Sequence, residues 1–103
     1  MDKREGQFHM PFNNNTVRPF TRAGIEAINP NQIGVYGLFK PNTWVYIGRG
    51  DIRDRLLKHL KGDNPCITRQ APTSWIGEVT SNNVQREKEL IQEYNPVCNR
   101  QVG

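Results

Sequence analysis

Arg55, Lys58 and His59 fall within little more than one turn of a helix-forming segment, and Arg49 lies just before it. Residues at i and i+4 lie one above the other on a helix, so Arg55 and His59 share a face. A guanidinium presents a rigid fork of donors that suits phosphate oxygens, and an imidazole moves protons near neutral pH. From Arg49 to Lys61 there are five cationic residues (Arg49, Arg53, Arg55, Lys58, Lys61) against two acidic ones (Asp51, Asp54). A local cationic excess on one helix and the turn before it is what a surface for a polyanion such as nucleic acid requires. The whole chain is also basic, with a formal net charge of +4.

Glu87 is the second group with chemical potential. Val84, Ile91 and Tyr94 mark one face of the last helical segment, and Glu87 sits three residues after Val84 and four before Ile91. That spacing predicts a carboxylate aimed at the core side, with Lys88, Glu89 and Glu93 toward water. A buried carboxylate needs a cation or a set of donors, so either an internal arginine or a metal ion is implied. Tyr36 and Tyr46 lie in apolar runs where tyrosine is an ordinary core residue. Gly34 and Gly48 beside them are poor strand residues unless a backbone or a ligand comes close. Asn99, after Pro96, reads on its own as a turn or cap residue. His9 has no comparable neighbours and is set aside.

The elements that must position these groups follow from pattern. Residues 1–15 are polar and read as a loose N-terminal arm, and 16–33 as a lead-in with one short helix. In that helix Thr21 is the cap, Phe20 is placed to staple onto Ile25, and Asn29-Pro30 is the stop. The runs 33–39 (IGVYGLF) and 44–47 (WVYI), joined by Lys40-Pro41-Asn42-Thr43, predict a β-hairpin. Asp51 caps a helix whose apolar stripe is Ile52, Leu56, Leu57 and Leu60, with Gly62 as terminator. Residues 63–73 read as a loop and 75–80 as a third strand. Ser81, Asn82 and Asn83 offer caps for a last helix reaching about Tyr94, which Pro96 ends. The expectation is an α+β domain with a small three-stranded antiparallel β-sheet flanked by helices.

Composition sets the outer limits. One domain is expected from 103 residues. The mean hydropathy is −0.75, and no run approaches the ~20 apolar residues of a membrane span. Charges at the N-terminus with no apolar stretch behind them do not form a signal peptide. Cys66 and Cys98 have no metal-knuckle or redox spacing and read as free thiols in a reducing cytoplasm.

Taken together, the ordered set is more specific than its parts. Gly34-Val35-Tyr36, nine residues, Tyr46-Ile47-Gly48, six residues, Arg55, three residues, His59, then Glu87 and, after eleven residues, Asn99 resembles the GIY-YIG nuclease superfamily. Valine replaces the first isoleucine and keeps the β-branch. The phrases GVYGLF, WVYIGRGDIRDRLLKHL and REKELIQEYNPVCN are similar to small single-domain members, with residues 34–103 as the nuclease-like domain and PFTRAGIEAINPNQIG as the approach.

The resemblance implies cleavage of phosphodiester bonds in nucleic acid, most often DNA, with one divalent ion, Mg²⁺ or Mn²⁺. By position, Glu87 would hold the metal and Arg55 the scissile phosphate. Tyr36 would activate water, with Tyr46 as the second active-site tyrosine. His59 matches a histidine found in some members, Arg49 and Lys58 would bind substrate, and Gly34, Gly48 and Asn99 would support the site. A phenol of pKa about 10 is ionised to about one part in a thousand at pH 7, a handicap of about 4 kcal/mol, so nearby cations are expected to lower the Tyr36 pKa. With no appended DNA-binding domain, a protein partner or homodimer is one expected source of target recognition. A non-catalytic nucleic-acid-binding module on the same fold is the alternative.

Overall fold

The computed structural model describes residues 11–100. The elements run β1 (Arg18–Pro19), α1 (Arg22–Glu26), β2 (Ile33–Lys40), β3 (Thr43–Asp51), α2 (Ile52–Leu60), α3 (Pro65–Gln70), β4 (Ser74–Val79) and α4 (Asn83–Tyr94). They make an α+β fold around a four-stranded antiparallel sheet in the order β1-β4-β2-β3. The hairpin turns where expected: Lys40 pairs with Thr43. Pro41 presets the first corner and Asn42 takes the left-handed conformation at φ 63°.

Alternation along the strands sends side chains to two cores. On one face Tyr36, Leu38, Val45 and Trp75 pack with Ile25 of α1, Ile52 and Leu56 of α2, and Cys66 and Ile67 of α3. On the other, Val35, Ile47 and Ile76 pack with Phe12 and with Leu90 of α4, joined by Trp44, Ile91 and Tyr94. One irregularity matters for the site. Leu38 pairs with Tyr46 and Phe39 with Trp44, so Val45 is the extra residue of a β-bulge. The bulge puts both Val45 and Tyr46 against the first core.

The C-terminal segment closes the outer edge of β3. Val97 N–H donates to Trp44 O at 3.0 Å and Cys98 N–H to Val45 O at 2.8 Å. The Asn99 amide then imitates one more strand residue, accepting from Ile47 N–H at 2.7 Å and donating to Ile47 O at 2.9 Å. An edge that would otherwise expose unpaired backbone groups is thereby covered.

Several expectations are corrected. The sheet has four strands, not three, because the two residues of β1 pair with Trp75 and Ser74 of β4. A two-residue strand holding a proline carries no periodicity to detect. The loop expected over 63–73 contains α3, whose Asn64 cap accepts from Cys66 N–H and Ile67 N–H, with Pro65 in the first turn. Of the supposed loose arm, residues 1–10 lie outside the described residues. The rest is held: Phe12 is buried, and Asn14 Nδ2 donates to Gly77 O at 2.7 Å. Cys66 and Cys98 are not free thiols but a disulfide joining α3 to the C-terminal segment. The apolar face of α4 is centred on Leu90, and Val84 is exposed. Finally, the inward side of α2 is Ile52, Leu56 and His59, with Leu57 partly buried beside them as expected, whereas Leu60 is turned outward.

Candidate functional site

The bulge, the hairpin and α2 bring Tyr36, Tyr46, Arg55 and His59 together on one face of the sheet. The Tyr36 hydroxyl lies 2.7 Å from His59 Nε2. The rings of Tyr36 and His59 are 5.6 Å apart, and Tyr46 stands edge-on to His59 at 5.3 Å. Tyr36 is fully buried and His59 is 3% exposed, whereas Tyr46 is half-buried. Gly48 is what allows this: a Cβ there would run into the Tyr36 phenol and the Tyr46 ring. Gly34 has a different purpose, since a Cβ there would collide with the Glu78 carbonyl of β4. Its small size serves strand packing.

Burial sets the electrostatics. Desolvation pushes the Tyr36 pKa well above the ordinary phenol range. A lesser repulsion from Tyr46 adds to this, and a hydrogen bond and charge from Arg55 oppose it. Arg55 lowers this phenol as expected, but the desolvation cost exceeds its attraction and the net shift is upward. Tyr46 is raised by burial and by the charge of Glu87. His59 is lowered, first by desolvation and also by Arg55, against the raising effect of Asp63. At neutral pH the site thus holds neutral phenols beside a neutral imidazole.

Glu87 of α4 lies near enough to Tyr46 for its charge to raise that phenol, and it is not buried. Its side chain is 26% exposed, and Oε1 accepts from Arg49 Nε at 3.3 Å. The buried carboxylate is Glu78 of β4, which follows Ile76 at the period-two spacing of the second core. Arg86 of α4 grips it with Nε at 2.6 Å and Nη2 at 2.8 Å, and also reaches Glu89 and the Pro11 carbonyl. Glu87 is thus not the core-facing carboxylate expected of α4. Strand alternation through Ile76 and Glu78 was the signal that pointed to the right one.

Lys58 does not join the tyrosines; its ammonium pairs with Asp54 at 3.3 Å, one turn back. Arg49 is brought to Glu87, and the Asn99 amide is bound to the backbone of Ile47 and does not reach the tyrosines. One member was missed altogether: Asp63 Oδ1 lies 2.8 Å from His59 Nδ1. Gly62, at φ 96°, was its signal, because a left-handed glycine after a helix turns the next residue back over the last turn.

Among the described residues no group of three or more His, Cys, Asp or Glu could enclose a metal ion. Glu87, the expected ligand, is a lone carboxylate whose Oε1 is engaged by Arg49 at 3.3 Å; Mg²⁺ in phosphate chemistry is held by one or two carboxylates together with waters and substrate oxygens. No helix among the described residues is long and apolar enough to cross a membrane. Comparison with protein-family models, with curated proteins and with solved structures finds no match for this chain.

Proposed function

We propose that this protein is an endonuclease of the GIY-YIG kind, hydrolysing phosphodiester bonds in DNA with one Mg²⁺ or Mn²⁺ ion held by Glu87. The observation that carries it is the 2.7 Å contact of the Tyr36 hydroxyl with His59 Nε2, within a cluster that also holds Tyr46 and Arg55. When bound, the ion supplies charge neutralisation at the phosphorus and help for the departing oxygen. Arg55 pairs with non-bridging phosphate oxygens. Tyr36 passes protons rather than persisting as phenolate: a proton leaves the attacking water for the phenol oxygen as the phenol proton moves to His59 Nε2. The water oxygen bonds to phosphorus while the bond to the leaving oxygen breaks. That oxygen leaves with the bonding pair and takes a proton from solvent as His59 returns its own to solvent. Such a relay avoids the cost of ionising a buried phenol. Because Tyr36 has no exposed surface, phosphate binding must draw Arg55 away from the phenol and admit the water.

The ion pair between Arg49 and Glu87 favours a second reading, a nucleic-acid-binding module that is inert or waits for a protein partner or second copy to supply target recognition. The cationic residues around α2 serve either role. A cytoplasmic setting remains only an expectation, and the Cys66–Cys98 disulfide argues against it, since such bonds are rare where thiols are kept reduced. Incubating the protein with supercoiled plasmid and a panel of branched DNAs, with Mg²⁺ or Mn²⁺ and with EDTA, separates the readings. Cleavage that EDTA abolishes supports the nuclease. Salt-sensitive binding without cleavage on every substrate supports the module.

A further inference from the structure

We propose that Asp63 is a positioning residue that fixes His59 as the Nδ1–H tautomer, leaving Nε2 to accept the proton of Tyr36. The use made of Nε2 rests on the nuclease reading; the tautomer does not.

Helix α2 ends in a Schellman motif. Gly62 N–H donates to His59 O at 3.0 Å and Asp63 N–H to Lys58 O at 3.3 Å, with Gly62 in the left-handed region. This closure brings Asp63 back over the turn that carries His59. The two imidazole nitrogens are then engaged from opposite sides, Nδ1 by Asp63 Oδ1 at 2.8 Å and Nε2 by the Tyr36 hydroxyl at 2.7 Å. A carboxylate only accepts hydrogen bonds, so the proton belongs on Nδ1 and the lone pair on Nε2. The opposite tautomer would press the Nδ1 lone pair against a carboxylate oxygen. Once Nε2 takes the phenol proton, the imidazolium is held by the same carboxylate. The charged and titratable groups facing His59 are Tyr36 of β2, Tyr46 of β3, Arg55 of α2 and Asp63 itself. Of these only Asp63 favours the charged imidazole; Arg55 opposes it.

The test is ¹⁵N NMR of the imidazoles with parallel single-turnover cleavage against pH, in wild type, Asp63→Ala and Asp63→Asn. The chain has 2 histidines, and His9→Gln assigns the spectra. Wild type is expected to show His59 protonated at Nδ1. In Asp63→Ala the Nε2–H form should predominate, and the plateau rate should fall about 10²-fold, at the low end of the range for acid–base groups. In Asp63→Asn, which keeps the size of the side chain and removes its charge, the acid limb of the profile should move to lower pH. A purely structural role would lower the rate without moving the tautomer or the limb. Nδ1–H persisting in Asp63→Ala, or an unmoved limb in Asp63→Asn, overturns the proposal. A tautomer switch in a protein whose wild type cuts no nucleic acid overturns the nuclease reading and leaves the hold of Asp63 on His59 standing.

Discussion

Replacing Tyr36 by phenylalanine removes one oxygen atom from the centre of the site and leaves the ring that packs against Tyr46, His59 and the first core. The structural cost can be bounded. His59 Nε2 loses its partner at 2.7 Å in a buried position, and an orphaned buried acceptor costs about 1–3 kcal/mol. Against a total stability of about 5–15 kcal/mol for a domain of this size, the variant stays folded. The catalytic cost is larger. Loss of the proton relay should lower the single-turnover rate about 10²–10⁴-fold, or about 3–5 kcal/mol in barrier height. Because the ring is unchanged and Arg55 is retained, DNA affinity should hold. The assay is single-turnover cleavage of an end-labelled duplex, with a urea melt on the same sample to confirm folding. A folded Tyr36→Phe protein that cuts within about threefold of wild type refutes the relay.

Other outcomes follow from the same geometry. Arg86→Ala strands the buried Glu78 carboxylate and should cost about 3–5 kcal/mol in urea unfolding. Glu78→Leu with Arg86→Met should cost less, since it leaves no buried charge unpaired, although the bonds to Pro11 O and Asn13 N–H are lost. Cys66→Ser with Cys98→Ser opens a link of sequence separation 32 and should cost about 3–4 kcal/mol on the chain-entropy estimate, read as a lower urea midpoint. Cleavage requires neutral His59, whose pKa lies below 6.5. The midpoint of the acid limb should therefore lie below the ordinary imidazole value of about 6.5; a midpoint above it contradicts the role given to His59.

The parts of this molecule that were legible in the sequence are those set by local chemistry. Thr21 and Asp51 cap the helices they were expected to cap, accepting from Gly24 N–H and Asp54 N–H. Pro41-Asn42 makes the hairpin, and Gly62 ends α2. The meeting of Tyr36 with His59 was legible only through the ordered motif, since they stand at a sequence separation of 23. What stayed hidden depends on tertiary pairing. The two-residue β1 exists because β4 offers it an edge, and the disulfide exists because α3 and the C-terminal segment meet. Glu87 was placed inward because Val84 was read as core. The buried face of α4 turns instead on Leu90, and its inward charge is Arg86, which no helical pattern of apolar residues reveals.

The most direct test of the central claim compares wild type and Glu87→Ala for Mg²⁺-dependent cleavage and for DNA binding in the same buffer. The carboxylate is partly exposed and packs into neither core, so its loss should leave the fold and the cationic surface in place. The expected result is wild-type cleavage that EDTA abolishes, and a variant that binds DNA within about threefold of wild type, a difference under 1 kcal/mol, yet cuts nothing. Cleavage retained in Glu87→Ala, or none by wild type on any substrate or metal, would contradict a nuclease centred on Glu87.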